Sequence, residues 1–152
     1  MKFEYINQDI TEEDSGVIVH GVNCQGVMGS GVALAIRKKW PEVYEDYKSL
    51  CDRIEPKTQL LGLNNLVPID SDLLIVNAFT QLNYGKDGKK YASLNAIEDC
   101  MNKLSTTLNR ESIGTVKMPM IGCGLGGLDW NDVLRAIKKE LNEIDIVKVY
   151  YL

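Results

Sequence analysis

The sequence predicts a three-layer α/β domain with a mixed, mostly parallel central sheet. Short runs of apolar and β-branched residues alternate along the chain with longer amphipathic segments that are typical of helices. Two glycine-rich loops each follow a β-like run and open a helix-like run, an arrangement typical of α/β folds. The 152 residues contain no linker or repeat, so we expect a single domain over 1–152.

The first third of the chain is predicted to hold two strands and two helices. Pro41 separates the helices, because the residue before a proline avoids helical geometry and proline itself suits a first helical turn. Ser30 is a candidate N-cap of the first helix. The predicted elements are strands at Phe3–Asn7 and Gly16–Val22, and helices at Gly31–Lys39 and Pro41–Arg53.

The remaining elements include one antiparallel pair. Gln59–Val67 and Asp72–Ala78 are predicted strands, joined by the turn Pro68-Ile69-Asp70-Ser71. The elements after them alternate again, which favours a mostly parallel sheet covered on both faces. They are a helix at Tyr91–Leu108, a strand at Thr115–Ile121, a helix at Trp130–Ile144 and a strand at Ile146–Tyr151.

Composition excludes several classes of protein. The formal net charge is −4 and the pI is about 5.0, which argues against an extended nucleic-acid-binding surface. No apolar run approaches the roughly 20 residues that span a bilayer, and the first residues lack a signal-peptide pattern. Four cysteines without a CxxC spacing and a single histidine argue against a zinc site. We therefore expect a cytoplasmic protein with reduced thiols, no membrane contact and no bound metal.

The two glycine-rich loops are the strongest functional signal. Loop 1 is Asn23–Gly31 and loop 2 is Gly122–Gly127. Glycines between a strand and a helix let backbone approach a ligand and direct free N–H groups at an anion. Because such loops meet at one edge of the sheet, the pair predicts a ligand with two phosphates or with a phosphate and a sugar.

Loop 2 also matches the pattern G-x-G-x-x-G at Gly122, Gly124 and Gly127. We do not interpret it as a dinucleotide-binding fingerprint, because that motif opens a fold that needs further βα units. Here one helix and one strand remain after it. A Walker A motif is absent too, since no Gly-Lys-Ser/Thr follows either loop.

The two loops and a short N-terminal motif together resemble macrodomains. Val19–Gly26 with Met28–Ala33 resembles the first ligand loop of that family, and Met118–Trp130 resembles the second. Asp9-Ile10 matches the short acidic motif near the N-terminus. The resemblance covers nearly the whole chain. It is strongest to the compact branch that includes ADP-ribose 1''-phosphate phosphatases, terminal ADP-ribose protein glycohydrolases, antitoxin macrodomains and phage-type members.

The resemblance implies that the chain binds ADP-ribose as a monomer without a cofactor. Asp9 would accept a hydrogen bond from the adenine amino group, with Ile10 packed nearby. Loop 1 would line the distal ribose and one phosphate, and loop 2 would wrap the diphosphate with backbone N–H groups. The implied ligand-binding residues are Asp9, Ile10, Gln25, Gly29, Ser30, Gly31, Val32, Ile121, Gly122, Cys123, Gly124, Leu125 and Gly126.

The sequence departs from the glycohydrolase members at two positions. Gln81 stands where they have a lysine, and Gly126 stands where some have an aspartate. A glutamine amide forms no Schiff base and glycine offers no acid or base, so a lysine-dependent mechanism is disfavoured. Lys86, Lys89 and Lys90 follow soon after, in a stretch that is either an exposed loop or a lid that supplies charge to a terminal phosphate.

The predicted catalytic residues are His20, Asn23 and Gln81. His20 ends a β-like run before loop 1 and is either an acid–base group or a packed strand-end residue. Asn23 either contacts the ligand or braces the loop backbone. Cys24 and Cys123 are expected to be small fillers, because no paired base would activate them.

The preferred prediction of function is hydrolysis of the phosphomonoester of ADP-ribose 1''-phosphate. Loop amides, Asn23 and Gln81 would supply donors, and His20 would move a proton. Two alternatives stay open. One is removal of ADP-ribose from protein, nucleic-acid or metabolite adducts, with nucleic acid present only as an ADP-ribosylated substrate. The other is a reader that binds ADP-ribose without turnover.

Overall fold

A computed structural model describes all residues, 1–152. The predicted three-layer α/β fold is confirmed, with six strands and four α-helices. The strands are β1 (Lys2–Asn7), β2 (Gly16–Asn23), β3 (Asn64–Pro68), β4 (Leu73–Gln81), β5 (Thr115–Pro119) and β6 (Ile146–Tyr151). The helices are α1 (Gly31–Lys39), α2 (Pro41–Arg53), α3 (Leu94–Arg110) and α4 (Trp130–Glu140).

The sheet is mixed, as predicted. Its strand order is β1-β6-β5-β2-β4-β3, and every neighbouring pair is parallel except the antiparallel pair β3–β4. The turn between β3 and β4 is held by Asp70, whose Oδ1 accepts from the backbone N–H groups of Asp72 (2.7 Å) and Leu73 (3.0 Å). The antiparallel strand therefore closes one edge of an otherwise parallel sheet.

Side chains that alternate along the strands feed two hydrophobic clusters. On β2, Val17 and Val19 pack on the α3–α4 side, whereas Ile18 and Val22 pack on the α1–α2 side. His20 lies between Ile18 and Val22 and so shares the α1–α2 face. Both faces of the sheet are covered, which explains the continuous apolar run that the sequence shows at β2.

Several element boundaries differ from the predictions. The predicted strand Gln59–Val67 begins only at Asn64, because Lys57–Leu60 forms a 3₁₀ turn that buries Leu60. The predicted helix Tyr91–Leu108 begins at Leu94, since Ser93 is its N-cap and accepts a hydrogen bond from the N–H of Ala96. Two further elements end earlier than predicted, β5 at Pro119 and α4 at Glu140.

No helix of the structure is both long and apolar enough to traverse a bilayer. The four cysteines are free thiols.

Candidate functional site

A cavity of about 560 Å³ opens at the carboxyl ends of three adjacent strands. We call it the edge cavity. Its floor is formed by the last residues of β2 and β4 and by Pro119 of β5. Its walls are loop 1 with the first turn of α1, the segment Tyr84–Lys86, and Met120–Gly126. The two glycine-rich loops therefore meet at one sheet edge, as the sequence predicts.

Loop 1 leaves the first amides of α1 unpaired. Ser30 occupies the predicted N-cap position, although its side chain makes no capping hydrogen bond. The backbone N–H groups of Gly31, Val32 and Ala33 have no partner within the protein, and all three residues line the edge cavity. A helix N-terminus with free amides attracts an anion through both hydrogen bonding and the helix dipole.

Loop 2 offers a second set of free amides. It turns through three glycines with positive φ, Gly122 (79°), Gly124 (63°) and Gly127 (82°). The N–H groups of Gly124 and Leu125 make no hydrogen bond within the protein, whereas those of Gly126 and Gly127 close the 3₁₀ turn. A Cβ added at Gly124 would meet no atom within 4 Å, so this glycine faces open space.

Asn23 braces loop 1 from within. Its Nδ2 donates to the carbonyl of Val27 (2.8 Å), and its Oδ1 accepts from the N–H of Gln25 (2.9 Å). The hydroxyl of Tyr47 lies 2.7 Å from the Asn23 carbonyl oxygen and 2.9 Å from its Oδ1. These contacts favour the bracing interpretation of Asn23. The residue still lines the edge cavity and keeps one Nδ2 hydrogen free for a ligand.

Three predicted ligand-binding residues lie outside the edge cavity. Gln25 donates from Nε2 to the carbonyl of Leu82 (3.0 Å) and so ties loop 1 to the chain after β4. Ile10 is buried in the α1–α2 cluster. Asp9 caps a short 3₁₀ turn, with Oδ1 accepting from the backbone N–H (2.9 Å) and hydroxyl (2.7 Å) of Thr11. Gln25 and Ile10 therefore make structural contacts within the protein, and their contact with a ligand stays a prediction.

Asp9 keeps a free carboxylate oxygen beside this turn. The bond from the Thr11 hydroxyl, followed by that from the Thr11 N–H, lowers the pKa of Asp9, so the group is an anion at neutral pH. The segment that carries it is anchored by Glu13, whose Oε1 accepts from the hydroxyl of Tyr150 (2.7 Å) and whose Oε2 lies 3.2 Å from Lys117 Nζ. Asp9 thus keeps a hydrogen-bond acceptor on an anchored segment, outside the cavity lining.

His20 is buried at the cavity floor with 1% of its surface exposed. Its Nε2 lies 2.5 Å from Asn77 Oδ1, and its Nδ1 has no partner within the protein. Burial lowers the pKa of His20 to about 4, although the Asn77 bond opposes the shift. The ring is therefore neutral at pH 7, which argues against the proton-transfer role that the sequence predicts and leaves an uncharged acceptor.

The chain after β4 places one lysine at the edge cavity. Gln81 lines the cavity and donates from Nε2 to the carbonyl of Asn83 (2.8 Å). Lys86 lines it too, whereas Lys89 and Lys90 do not. The stretch is folded on itself, because Asp87 Oδ1 accepts from the hydroxyl of Tyr91 (2.7 Å) and from the N–H of Lys89 (3.2 Å).

This lysine stretch is also tied to loop 2. The backbone N–H groups of Tyr91 and Ala92 both donate to the carbonyl of Gly126 at 3.0 Å. No Asp or Glu lines the edge cavity, so Lys86 is its one formally charged side chain at neutral pH. The cavity therefore presents amides, one cation and no carboxylate, a composition that suits an anionic ligand.

Several lining residues were missed by sequence reasoning. Thr80 immediately precedes Gln81 at the carboxyl end of β4, and its position in the strand was a usable signal. Tyr84 also lines the cavity and carried no such signal, whereas Met120 lies within the Met118–Trp130 segment that resembles the second ligand loop. Cys123 is half-buried there, and burial raises its thiol pKa, which agrees with its predicted role as a filler.

Comparison with known proteins identifies the family. The Macro domain family model matches residues 19–137, a range that contains both loops and every residue that lines the edge cavity. The chain belongs to the Macro domain family. The observed three-layer α/β fold is thus a macrodomain fold.

Solved structures and curated relatives agree with this assignment. A Bacteroides thetaiotaomicron protein of unknown function superposes with a TM-score of 0.87 at 30% identity, covering 99% of each chain. The macrodomain of Mycobacterium tuberculosis DarG superposes with a TM-score of 0.80 at 29% identity, covering 99% of this chain and 98% of the other.

Two curated relatives differ in their named activities. The Mycobacterium tuberculosis DNA ADP-ribosyl glycohydrolase is 30% identical over 94% of this chain. The chain spans about 40% of that relative's length. The Saccharomyces cerevisiae ADP-ribose 1''-phosphate phosphatase is 28% identical, with 81% of this chain and 82% of the relative covered.

Proposed function

We propose that this macrodomain binds ADP-ribose in the edge cavity and hydrolyses the phosphomonoester of ADP-ribose 1''-phosphate. One observation carries the proposal: two separate sets of unpaired amides, at the start of α1 and in loop 2, line the same cavity. A diphosphate bound between them would receive hydrogen bonds from both sides without any cationic side chain. The named activities of the relatives support a hydrolase that acts on an ADP-ribose derivative.

The reaction transfers a phosphoryl group to water. Water attacks phosphorus, the bond between phosphorus and the 1''-oxygen breaks, and the sugar oxygen leaves as a hydroxyl after taking a proton. Free amides and the Gln81 side chain can stabilise the transferred charge, and the Lys86 ammonium can approach the terminal phosphate. The uncharged Nδ1 of His20 can accept a hydrogen bond from a hydroxyl or a water at the cavity floor.

Gln81 weakens the competing proposal of a glycohydrolase that needs a lysine at this position. Its amide is not a nucleophile towards the sugar carbon, and it is already bonded to the carbonyl of Asn83. Lys86 lies at the cavity on an exposed segment. It is therefore the lysine through which a lysine-dependent glycohydrolase reaction could still be tested.

The test is a panel of three substrates beside calorimetry. ADP-ribose should bind with micromolar affinity or better, about −8 kcal/mol. Purified protein should release phosphate from ADP-ribose 1''-phosphate, and the Gly124→Glu variant should lose both binding and turnover. Binding without phosphate release over hours at high enzyme concentration would overturn the phosphatase assignment. Release of ADP-ribose from modified DNA or protein would replace it with the hydrolase alternative.

A further inference from the structure

Four side chains form a hydrogen-bonded chain from the surface of α2 to the edge cavity. Asn65 of β3 donates from Nδ2 to Asp46 Oδ2 (2.9 Å). Asn77 of β4 donates from Nδ2 to Asn65 Oδ1 (3.0 Å). Asn77 Oδ1 then lies 2.5 Å from His20 Nε2 on β2. Asp46 is exposed, whereas Asn77 and His20 are buried.

The chemistry of Asp46 fixes the direction of this chain. An ionised carboxylate only accepts hydrogen bonds, so Asn65 must turn its NH₂ group towards Asp46 and its carbonyl oxygen towards Asn77. Asn77 must then turn its own NH₂ group to Asn65 and its oxygen to His20. The ring consequently donates from Nε2, and in a neutral imidazole the other nitrogen, Nδ1, is an acceptor.

The free acceptor belongs to a residue at the floor of the edge cavity. His20 lines the edge cavity, and Nδ1 is a buried nitrogen without any partner inside the protein. Buried polar atoms are nearly always hydrogen-bonded, so an unpaired one beside a cavity indicates a partner from outside the protein. A group that donates a hydrogen bond, such as a sugar hydroxyl, is the chemistry that fits.

We propose that Asp46, Asn65 and Asn77 are positioning residues that fix the Nε2–H tautomer of His20. In this arrangement His20 Nδ1 accepts a hydrogen bond from a hydroxyl group of the distal ribose. This second step rests on the proposed function, whereas the tautomer itself does not. The surface carboxylate of Asp46 thereby determines whether Nδ1 of His20, at the cavity floor, accepts or donates a hydrogen bond.

Nitrogen-15 NMR tests the tautomer directly, because the chain contains one histidine. Wild type should show a protonated Nε2 and an unprotonated Nδ1 at pH 7. In Asp46→Asn the amide can either donate or accept, so both directions of hydrogen bonding, and therefore both tautomers of His20, should be populated. Asp46→Lys places a group that only donates at the end of the chain, and it should shift the population towards Nδ1–H.

The matched control is Glu45→Lys. It makes the same charge change at the neighbouring exposed position of α2, which is not part of the hydrogen-bonded chain. It should leave the histidine spectrum unchanged. An Nδ1–H ring in wild type, or an Asp46→Lys spectrum equal to that of wild type, would overturn the proposal. These are surface substitutions, so the result does not depend on whether a buried Asn77 variant folds.

Calorimetry tests the ligand contact separately. Asp46→Lys should weaken ADP-ribose binding about tenfold, the value of one hydrogen bond, relative to Glu45→Lys. Binding of ADP, which lacks the distal ribose, should be equal in the two variants. Equal losses for ADP and ADP-ribose would contradict the hydroxyl contact. Failure of wild type to bind ADP-ribose at all would instead refute the proposed function and leave the NMR result standing.

Discussion

His20 shows how burial changes the chemistry of a residue that the sequence predicts to be an acid–base group. Its pKa falls from 6.5 to about 4 because burial disfavours the charged ring. In the unfolded chain the ring regains its ordinary pKa, so between pH 6.5 and 4 the unfolded state binds more protons than the native state. The free energy of unfolding therefore falls as the pH drops through this range.

The first prediction follows from this sign. His20 should cost the native state roughly 3 kcal/mol of stability between pH 6.5 and pH 4, and nothing above pH 7. Urea unfolding from pH 4 to 7.5 measures the effect against His20→Gln, which keeps polar atoms but does not titrate. The two proteins share every other ionisable group. Parallel stability curves would show that His20 is not shifted.

The second prediction concerns Gln81, which lines the edge cavity. The sequence resembles glycohydrolase members that have a lysine at the position of Gln81, and Gln81→Lys restores that amine. We expect the variant to gain release of ADP-ribose from modified DNA or protein, while Gln81→Met, of similar length, gains none. Chromatographic detection of free ADP-ribose measures the gain. A Gln81→Lys protein that binds ADP-ribose normally and releases none would show that this position does not correspond to the lysine.

At the scale of an element, loop 2 supplies the third prediction. Gly124→Glu places a carboxylate in open space beside free amides and should reduce ADP-ribose affinity at least 100-fold through repulsion of the diphosphate. Gly88→Glu is the control, since Gly88 also has positive φ (82°) and an open Cβ position but lies outside the cavity lining. Similar calorimetric affinities for the two variants would place the diphosphate elsewhere. Gly126 suits this test less, because its Cβ would lie 3.0 Å from that of Ala92.

The fourth prediction concerns the lysine stretch after β4. Lys86→Ala should weaken binding of ADP-ribose 1''-phosphate by about three- to tenfold at low salt and affect ADP-ribose less, if the added phosphate binds beside this cation as we propose. The effect should shrink at 0.5 M salt, since Lys86 is exposed and its charge is screened. Lys90→Ala, in the same stretch but outside the cavity, is the control. Equal effects on both ligands would refute a contact with the terminal phosphate.

At the scale of the whole molecule, the fifth prediction is ligand-induced stabilisation. ADP-ribose at 100 times its dissociation constant should add about 2.7 kcal/mol to the free energy of unfolding. For a domain of this size, that corresponds to a rise of roughly 5–10 °C in Tm. Thermal melts with ADP-ribose and with ribose 5-phosphate measure it, the second ligand serving as a control that lacks the diphosphate. An unchanged Tm with ADP-ribose would contradict binding to the native state.

The fold was predictable because its signals are local. The periodicities of Gly31–Lys39 and Ile146–Tyr151 and the proline at Pro41 marked elements that the structure has at the same bounds. The start predicted for β3 at Gln59 was wrong, because a buried Leu60 in a 3₁₀ turn resembles the start of a strand in its polarity pattern.

The edge cavity was only partly predictable. Its glycine loops follow from sequence because φ and the free amides are properties of the loop itself. The links from His20 to Asn77 and from Asn65 to Asp46 join residues 57 and 19 positions apart. They depend on the register of β2, β4 and β3, which no local pattern contains. The same reason explains why the bond from Gln25 to Leu82, 57 positions along the chain, could not be predicted from sequence.

The free amides of the edge cavity also have a consequence for mutational tolerance. Because the groups that would hold the anion are main-chain N–H groups, the identity of most side chains around them contributes little to that contact. In a saturation scan for ADP-ribose binding, Ser30 and Leu125 should therefore accept many substitutions, although both line the cavity. Gly124 should accept few, because it needs a positive φ. Such a site can diverge widely in side-chain sequence while it keeps its ligand.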